Sequence, residues 1–112
     1  SPDPRGISVQ HGHPGAPAIG VADLAAASDV YVVDVREVHE FQTGHLPGAV
    51  SIPMSVLPVR VQELPRDRTI HVVCQSGARS AQVVQWLIPQ GYDALDVAGG
   101  TAAWILAGHP VE

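Results

Sequence analysis

The sequence contains one cysteine and no lysine in 112 residues, and both shortages narrow the possible functions. A single cysteine, Cys74, cannot form an internal disulfide, so the fold must be stabilised by packing. A lone thiol also fits a reducing compartment best, and we therefore expect a cytoplasmic protein. All six basic residues are arginines, which excludes a lysine Schiff base and the lysine-dependent Walker phosphate loop.

Long hydrophobic runs and a positive net charge are also missing. No stretch is long and apolar enough to cross a bilayer, and the first residues lack the charged-then-apolar plan of a secretory signal. The formal net charge of −5 argues against nucleic acid as a general partner. Apolar residues make up 46% of the chain, and that proportion at this length predicts one globular domain.

The first 17 residues differ in composition from the rest of the chain. They are rich in proline, glycine and histidine and show no hydrophobic periodicity, so we interpret residues 1–17 as a flexible tail or linker. Residues 18–112 are then the folded domain. His11 and His13 flank a glycine and could bind a metal as a pair, but a solvated pair is the commoner outcome. We therefore predict no metal site and no cofactor.

Short β-branched runs alternate with helical patterns through the rest of the chain. The candidate strands are residues 30–35, 49–52, 70–74 and 94–97, and the candidate helices are residues 21–28, 37–42, 80–88 and 101–107, with a further one at 55–64 compromised by Pro58. This alternation predicts a parallel α/β sheet, in which ligands bind beyond the carboxyl ends of the strands. Trp86 and Trp104 lie at apolar helical positions and are predicted to be core residues.

The only thiol lies where a predicted buried strand gives way to a loop of small residues, CQSGARS. A tight turn there would point backbone N–H groups inward, and the helix that follows adds positive charge at its N-terminus. Such surroundings favour the thiolate and make Cys74 the candidate nucleophile. The alternative is a structural cysteine, because free cysteine is among the most buried residue types.

The other loop residues suit an anion-binding pocket. Gly77 permits a positive φ, and the hydroxyls of Ser76 and Ser80 can donate to the sulfur or cap the helix. Arg79 supplies a permanent charge and a planar fork suited to an oxyanion. The residues predicted to bind substrate are Gln75, Ser76, Gly77, Ala78, Arg79 and Ser80.

Four motifs, in this order, resemble the rhodanese family of sulfurtransferases: VVDVREVHEF, GHLPGAVSIP, CQSGARS and AGGTAAWILAGHPV. The resemblance spans residues 18–112 and implies a five-stranded parallel sheet flanked by helices on both faces. It implies that Cys74 takes a sulfane sulfur from a donor such as thiosulfate. The persulfide then passes the sulfur to cyanide or to a thiol, including one on a protein acceptor, while the loop amides cradle the outer sulfur.

Four residues of the upstream motifs are predicted to support the site. We expect Asp34 to close its strand and tie the neighbouring loop. Arg36 is expected to pair with Glu40, four residues on, at helical spacing. His45 lies in a GHLPG turn, where a turn-stabilising hydrogen bond is expected in preference to a role as general base. Gly99 and Gly100 are expected at the pocket rim.

Gln75 departs from the resemblance, because many rhodaneses have a basic residue directly after the cysteine. The departure implies weaker attraction of thiosulfate and makes a thiol-bound donor more plausible. Phosphatases and arsenate reductases of the same fold use a Cys-x5-Arg loop, whereas Cys74 and Arg79 are separated by four residues, so the spacing favours sulfur chemistry. The remaining alternative is a rhodanese-like sulfur carrier or regulatory docking module with little turnover.

Overall fold

The strands of the described chain, residues 16–112 of a computed structural model, form one sheet in which every pairing is parallel. They are β1 (Ala18–Ile19), β2 (Tyr31–Asp34), β3 (Val50–Ser51), β4 (Thr69–Val73) and β5 (Asp93–Val97), in the order β1-β5-β4-β2-β3. The predicted parallel α/β class and five-stranded sheet are confirmed. The edge strand β1, only two residues long, was not among the strand candidates.

Four α-helices of the described residues lie in the connections between strands, and the last one follows β5. The helices are α1 (Val21–Ala26), α2 (Val38–Gln42), α3 (Leu57–Arg60), α4 (Ala78–Leu87) and α5 (Gly100–Leu106). The helix expected over residues 55–64 is instead α3 followed by a 3₁₀ helix, Val61–Glu63. Pro58 lies in the first turn of α3, where its missing N–H has no helical partner in any case, so it does not break that helix.

Apolar clusters cover both faces of the central strands. Val33 of β2 and Val72 of β4 belong to one cluster, while their neighbours Val32 and Val73 belong to the other. Successive strand residues point to opposite faces, so a strand covered on both sides needs an uninterrupted apolar run. This is why the β-branched runs identified these two strands correctly.

One of the two predictions about tryptophan packing differs from the structure. Trp104 is 7% exposed and belongs to the core, but Trp86 is 40% exposed. The buried face of α4 carries Ser80, Ala81, Val83, Val84 and Leu87, and Trp86 falls outside that helical stripe.

The folded part of the chain also extends further toward the N-terminus than expected. Ala16 is 1% exposed, and the Pro17 carbonyl accepts a hydrogen bond from the backbone N–H of Asp96 at 2.8 Å. Both residues were assigned to the tail, but they pack against the domain. His11 and His13 lie outside the described residues.

The two motifs around Asp34 and Cys74 meet at one edge of the sheet. Asp34 of β2 is in register with Val73 of β4, and the N–H of Val35 donates to the Val73 carbonyl at 3.0 Å. Because both strands run in the same direction, the segments that leave them, beginning at Val35 and Cys74, start side by side.

Candidate functional site

The sulfur of Cys74 is held at the start of α4 by two polar groups. The backbone N–H of Gly77 donates to Sγ at 3.0 Å, and Ser80 Oγ lies 3.2 Å from Sγ. The cysteine itself is 1% exposed. Gly77 has φ +109°, a left-handed conformation that side chains resist, so glycine at this position lets the loop turn its amide toward the sulfur.

The N-terminus of α4 lies directly behind this loop. Gly77 is the residue before the first helical turn, and its carbonyl accepts the first helical hydrogen bond, from Ala81 N–H at 3.0 Å. The helix starts two residues earlier than predicted. Its unpaired N–H groups place partial positive charge beside Cys74, as expected for an anion-binding loop.

The side chains of the predicted substrate-binding residues do not all contact the sulfur. Those of Gln75, Ser76 and Ala78 are exposed, whereas Ser80 is fully buried. Of the predicted loop residues, Gly77 and Ser80 therefore supply the contacts to Sγ that the structure shows.

Arg79 is paired with Glu40 through two hydrogen bonds. Its Nη1 and Nη2 each donate to a different carboxylate oxygen of Glu40, both at 2.9 Å. This contact holds the pKa of Glu40 down at about 2 and raises the pKa of Arg79.

Arg36 pairs with Asp34, and the predicted Arg36–Glu40 pair is wrong. The guanidinium donates to both oxygens of Asp34, at 2.8 to 3.1 Å, and both side chains are almost completely buried. Arg36 precedes α2, which begins at Val38, so helical spacing does not apply to it. Asp34 closes β2 as expected and accepts the Arg36 backbone N–H at 2.9 Å.

The same guanidinium connects three segments around the site. Nη2 donates to the carbonyl of Gly44 at 2.7 Å, and Nη1 donates to Oε1 of Gln75 at 3.2 Å. Gln75 is therefore anchored at its side chain although it is exposed. This link between the Gly44 turn and the cysteine loop had no signal in the sequence beyond the DVR motif.

His45 ties its turn to neighbouring segments. Its Nδ1 lies 2.9 Å from the Phe41 carbonyl, and its ring stacks on that of Phe41 with centroids 3.7 Å apart. Its backbone N–H and carbonyl exchange hydrogen bonds with Glu112. These contacts give His45 the hydrogen-bonding role expected of a turn residue.

The start of α5 covers the cysteine loop from the other side. The backbone N–H and the hydroxyl of Thr101 both donate to the Cys74 carbonyl, at 2.8 and 3.1 Å. A Cβ on Gly100 would lie 2.5 Å from that same carbonyl oxygen, so only glycine allows this close approach. Gly100 thus lies against the cysteine loop, whereas the contribution of Thr101 was missed.

Asp96 is the other residue that sequence reasoning missed. It is 1% exposed and accepts a hydrogen bond from the Ser80 hydroxyl. Its position in β5, next to β4 in the sheet, brings it near the loop. An aspartate in a predicted buried strand is the signal that could have identified it, because buried carboxylates require partners.

Residues 16–112 contain no group of three or more His, Cys, Asp or Glu side chains arranged to hold a metal ion. In the same residues, no helix has the length and apolar character required to cross a bilayer.

The model of the Rhodanese-like domain family matches residues 20–107. The chain belongs to this family. A crystal structure of a rhodanese-related protein from Thermoplasma volcanium superposes on this rhodanese-like domain with a TM-score of 0.82 and 38% identity, covering 85% of this chain and 96% of that one.

Two named relatives have most of their length in common with this rhodanese-like domain. The "Sulfurtransferase" of Allochromatium vinosum is 42% identical over 89 residues, which cover 79% of this chain and 83% of the relative. The "Thiosulfate sulfurtransferase GlpE" of Shewanella oneidensis is 32% identical over 85 residues, which cover 75% of this chain and 84% of the relative.

Proposed function

We propose that this rhodanese-like domain transfers a sulfane sulfur from thiosulfate or a related donor to cyanide or a thiol, through a persulfide on Cys74. The observation that carries the proposal is the sulfur of Cys74 at the N-terminus of α4, 3.0 Å from the Gly77 amide that donates to it. The sulfurtransferase names of the relatives support sulfur transfer in general. A single cysteine suits the reducing cytoplasm, where we place this activity.

The proposed chemistry is two-step covalent catalysis. The Cys74 thiolate attacks the outer sulfur of thiosulfate, a new S–S bond forms, and the old S–S bond breaks with its electron pair leaving on sulfite. Cyanide or a thiolate then attacks the outer sulfur of the persulfide, and the Cys74 thiolate leaves. The loop amides and the helix N-terminus stabilise negative charge on sulfur at each stage.

The pairing of the arginines with carboxylates affects which sulfur donor the pocket can capture. Both arginines that reach the loop are paired with carboxylates, Arg79 with Glu40 and Arg36 with Asp34. The pocket therefore offers oriented dipoles and little net positive charge. We propose that a thiol-bound sulfane sulfur is used at least as well as the thiosulfate dianion, because its capture depends less on a free cation.

The test is persulfide formation followed by intact mass spectrometry. Excess thiosulfate should add one sulfur atom to the reduced protein, and cyanide should remove it. Cys74→Ser is the matched control, because its hydroxyl is nearly isosteric with the thiol but far less acidic, so it should fold and gain no sulfur. A folded, reduced wild-type sample that gains no mass with thiosulfate or with a persulfide donor would refute the proposal.

A sulfur carrier with little turnover is the second candidate, and the burial of Cys74 favours it. A cysteine that is 1% exposed restricts the approach of an acceptor, so in this role release of the loaded sulfur is slow. Repeated thiocyanate formation with excess thiosulfate and cyanide distinguishes the two roles. Many turnovers per chain indicate a transferase, whereas one sulfur per chain indicates a carrier.

A further inference from the structure

Behind the cysteine lies a buried chain of polar groups. Ser80 Oγ is 3.2 Å from Cys74 Sγ and also donates to the carboxylate of Asp96. The three residues are each no more than 1% exposed. They come from different elements, since Cys74 follows β4, Ser80 lies in α4 and Asp96 lies in β5.

The chemistry of the groups fixes the direction of these hydrogen bonds. Ser80 has one hydroxyl proton, and three acceptors surround its oxygen: Asp96, the sulfur, and the Gly77 carbonyl at 3.1 Å. An ionised carboxylate is the strongest of these acceptors. When the proton points to Asp96, a lone pair of Ser80 faces the sulfur and can accept the S–H proton of the thiol.

We propose that Ser80 and Asp96 form a proton relay that takes the thiol proton of Cys74 when the thiolate is generated. The S–H bond breaks with its electron pair remaining on sulfur, and that proton binds Ser80 Oγ. Ser80 passes its original hydroxyl proton to Asp96. This inference rests on the proposed function only in taking the thiolate as the reacting form of Cys74.

The relay reverses the hydrogen bond at the sulfur. Once Asp96 carries the proton, the Ser80 hydroxyl donates to the thiolate and joins the Gly77 N–H that already points there. The buried site then holds one anion, whereas a thiolate beside an ionised carboxylate would be two anions that disfavour each other. Ser80 contacts the reacting sulfur, so it is a catalytic residue in this scheme, and Asp96 acts through it as a positioning residue.

Apolar residues of the neighbouring strands lie beside Asp96 in the sheet. The residues paired with Asp96 in the neighbouring strands, Ala18 and Val72, are apolar. Two ion pairs described above, Arg79–Glu40 and Asp34–Arg36, lie on the loop side of Cys74.

The test uses alkylation of Cys74 by iodoacetamide, a neutral reagent that requires no sulfur donor. Rates are measured across pH for the wild type, Asp96→Asn, Ser80→Ala and the double variant. If the relay operates, each single variant should react about tenfold more slowly at neutral pH and shift the midpoint of the profile upward by roughly one pH unit. The double variant should be no slower than Ser80→Ala, because Asp96 acts only through Ser80.

Two other alkylation rates of Asp96→Asn would overturn the proposal. If Asp96 were merely a nearby negative charge, Asp96→Asn would speed alkylation, and if it were only structural, the folded variant would react at the wild-type rate. Asp93→Asn is the matched control, since Asp93 lies at the other end of β5 and accepts from Thr69 at 2.6 Å. Its alkylation profile should be unchanged.

A second measurement needs no variant of Asp96. Because the relay moves a proton within the protein, it is followed at constant pH: in infrared difference spectra of the wild type recorded between two temperatures, loss of the S–H stretch should coincide with gain of a protonated carboxyl C=O stretch, and Cys74→Ser should show neither change. Loss of the S–H stretch without that gain would refute the relay. Because neither test involves sulfur transfer, a failure of persulfide formation would count against the proposed function alone.

Discussion

The two carboxylate oxygens of Glu40 each accept a hydrogen bond from a different guanidinium nitrogen of Arg79, both at 2.9 Å. Glu40 is itself positioned by α2, where its Oε1 also accepts the Glu37 backbone N–H at 3.1 Å. The arginine of the cysteine loop is therefore neutralised by a residue that caps another helix. Its charge is only partly available to an anionic donor.

Glu40→Gln should release Arg79 and speed thiosulfate use. Removing the carboxylate leaves an unpaired cation at the end of the cysteine loop, so the apparent second-order rate should rise about tenfold at low salt. The rate of persulfide formation at varied thiosulfate concentration measures this. Glu63→Gln is the matched control, because it breaks another two-point Arg–Glu pair, with Arg60, and should leave the rate unchanged.

The Glu40–Arg79 pair should also give a distinct dependence of stability on pH. The Arg79 contact lowers the pKa of Glu40 from its usual 4.5 to about 2. A depressed carboxyl pKa contributes stability above pH 4.5 that is lost as pH falls toward 2. Both side chains are partly exposed, 37% for Arg79 and 26% for Glu40, so solvent screening reduces the contribution to about 0.5–1 kcal/mol.

Urea unfolding of wild type and Glu40→Gln from neutral pH down to pH 2 measures this contribution. The wild type should be more stable above pH 4.5, and the difference should disappear near pH 2. A difference that stayed constant over this range would mean that the carboxylate is not held by Arg79 in solution.

The residues that sequence reasoning placed correctly act within their own segment. Cys74 and Gly77 are separated by three positions in one strand–loop–helix unit, and the sequence of that unit by itself predicts a turn. By contrast, Glu40 and Arg79 lie 39 residues apart, and Ser80 meets Asp96 only because β4 and β5 are neighbours. Local periodicity carries no information about which strands are adjacent, so these contacts could be identified only from the three-dimensional structure.

The missed secondary structure has equally local causes. Strand β1 consists of Ala18–Ile19 alone, and two residues are too few to show a period of two. Trp86 was assigned to the core because it was taken to lie at an apolar helical position, but its position on α4 lies outside the stripe of buried residues. The angular position of one side chain depends on where the helix begins and which face meets the sheet.

Gln75→Arg should increase thiosulfate capture in a salt-dependent way. Residue 75 is exposed at the start of the loop, so an arginine there can attract the dianion before chemistry begins. The gain should appear in the second-order rate at low salt and shrink at physiological ionic strength, where the Debye length is ~8 Å. Loss of the hydrogen bond from Arg36 should cost about 1 kcal/mol of stability.

Gln82→Arg is the control for that comparison, because it makes the same change at an exposed position of α4 outside the loop. Persulfide formation rates at low and high salt are measured for both variants. Equal rates for Gln75→Arg and wild type at both salts would show that the side chain at position 75 does not influence the donor.

Gly100→Ala should disrupt the cysteine loop, and the chain offers a matched control. Gly100 and Gly48 both have positive φ, +63° and +77°, so alanine is strained by about 1–2 kcal/mol at either position. A Cβ at position 48 has no atom within 4 Å, whereas one at position 100 would lie 2.5 Å from the Cys74 carbonyl oxygen and 2.7 Å from that of Gln75. Only Gly100→Ala must therefore push the start of α5 away from the loop.

The expected loss of unfolding free energy is about 1–2 kcal/mol for Gly48→Ala and at least about 3 kcal/mol for Gly100→Ala, since overpacking adds to the backbone strain. Displacing α5 should also weaken the hydrogen bonds from Thr101 to the Cys74 carbonyl, so the orientation of the thiol should change. Urea unfolding and the iodoacetamide rate of Cys74 are measured for both variants. Equal losses of stability together with unchanged thiol reactivity would show that α5 does not hold the loop.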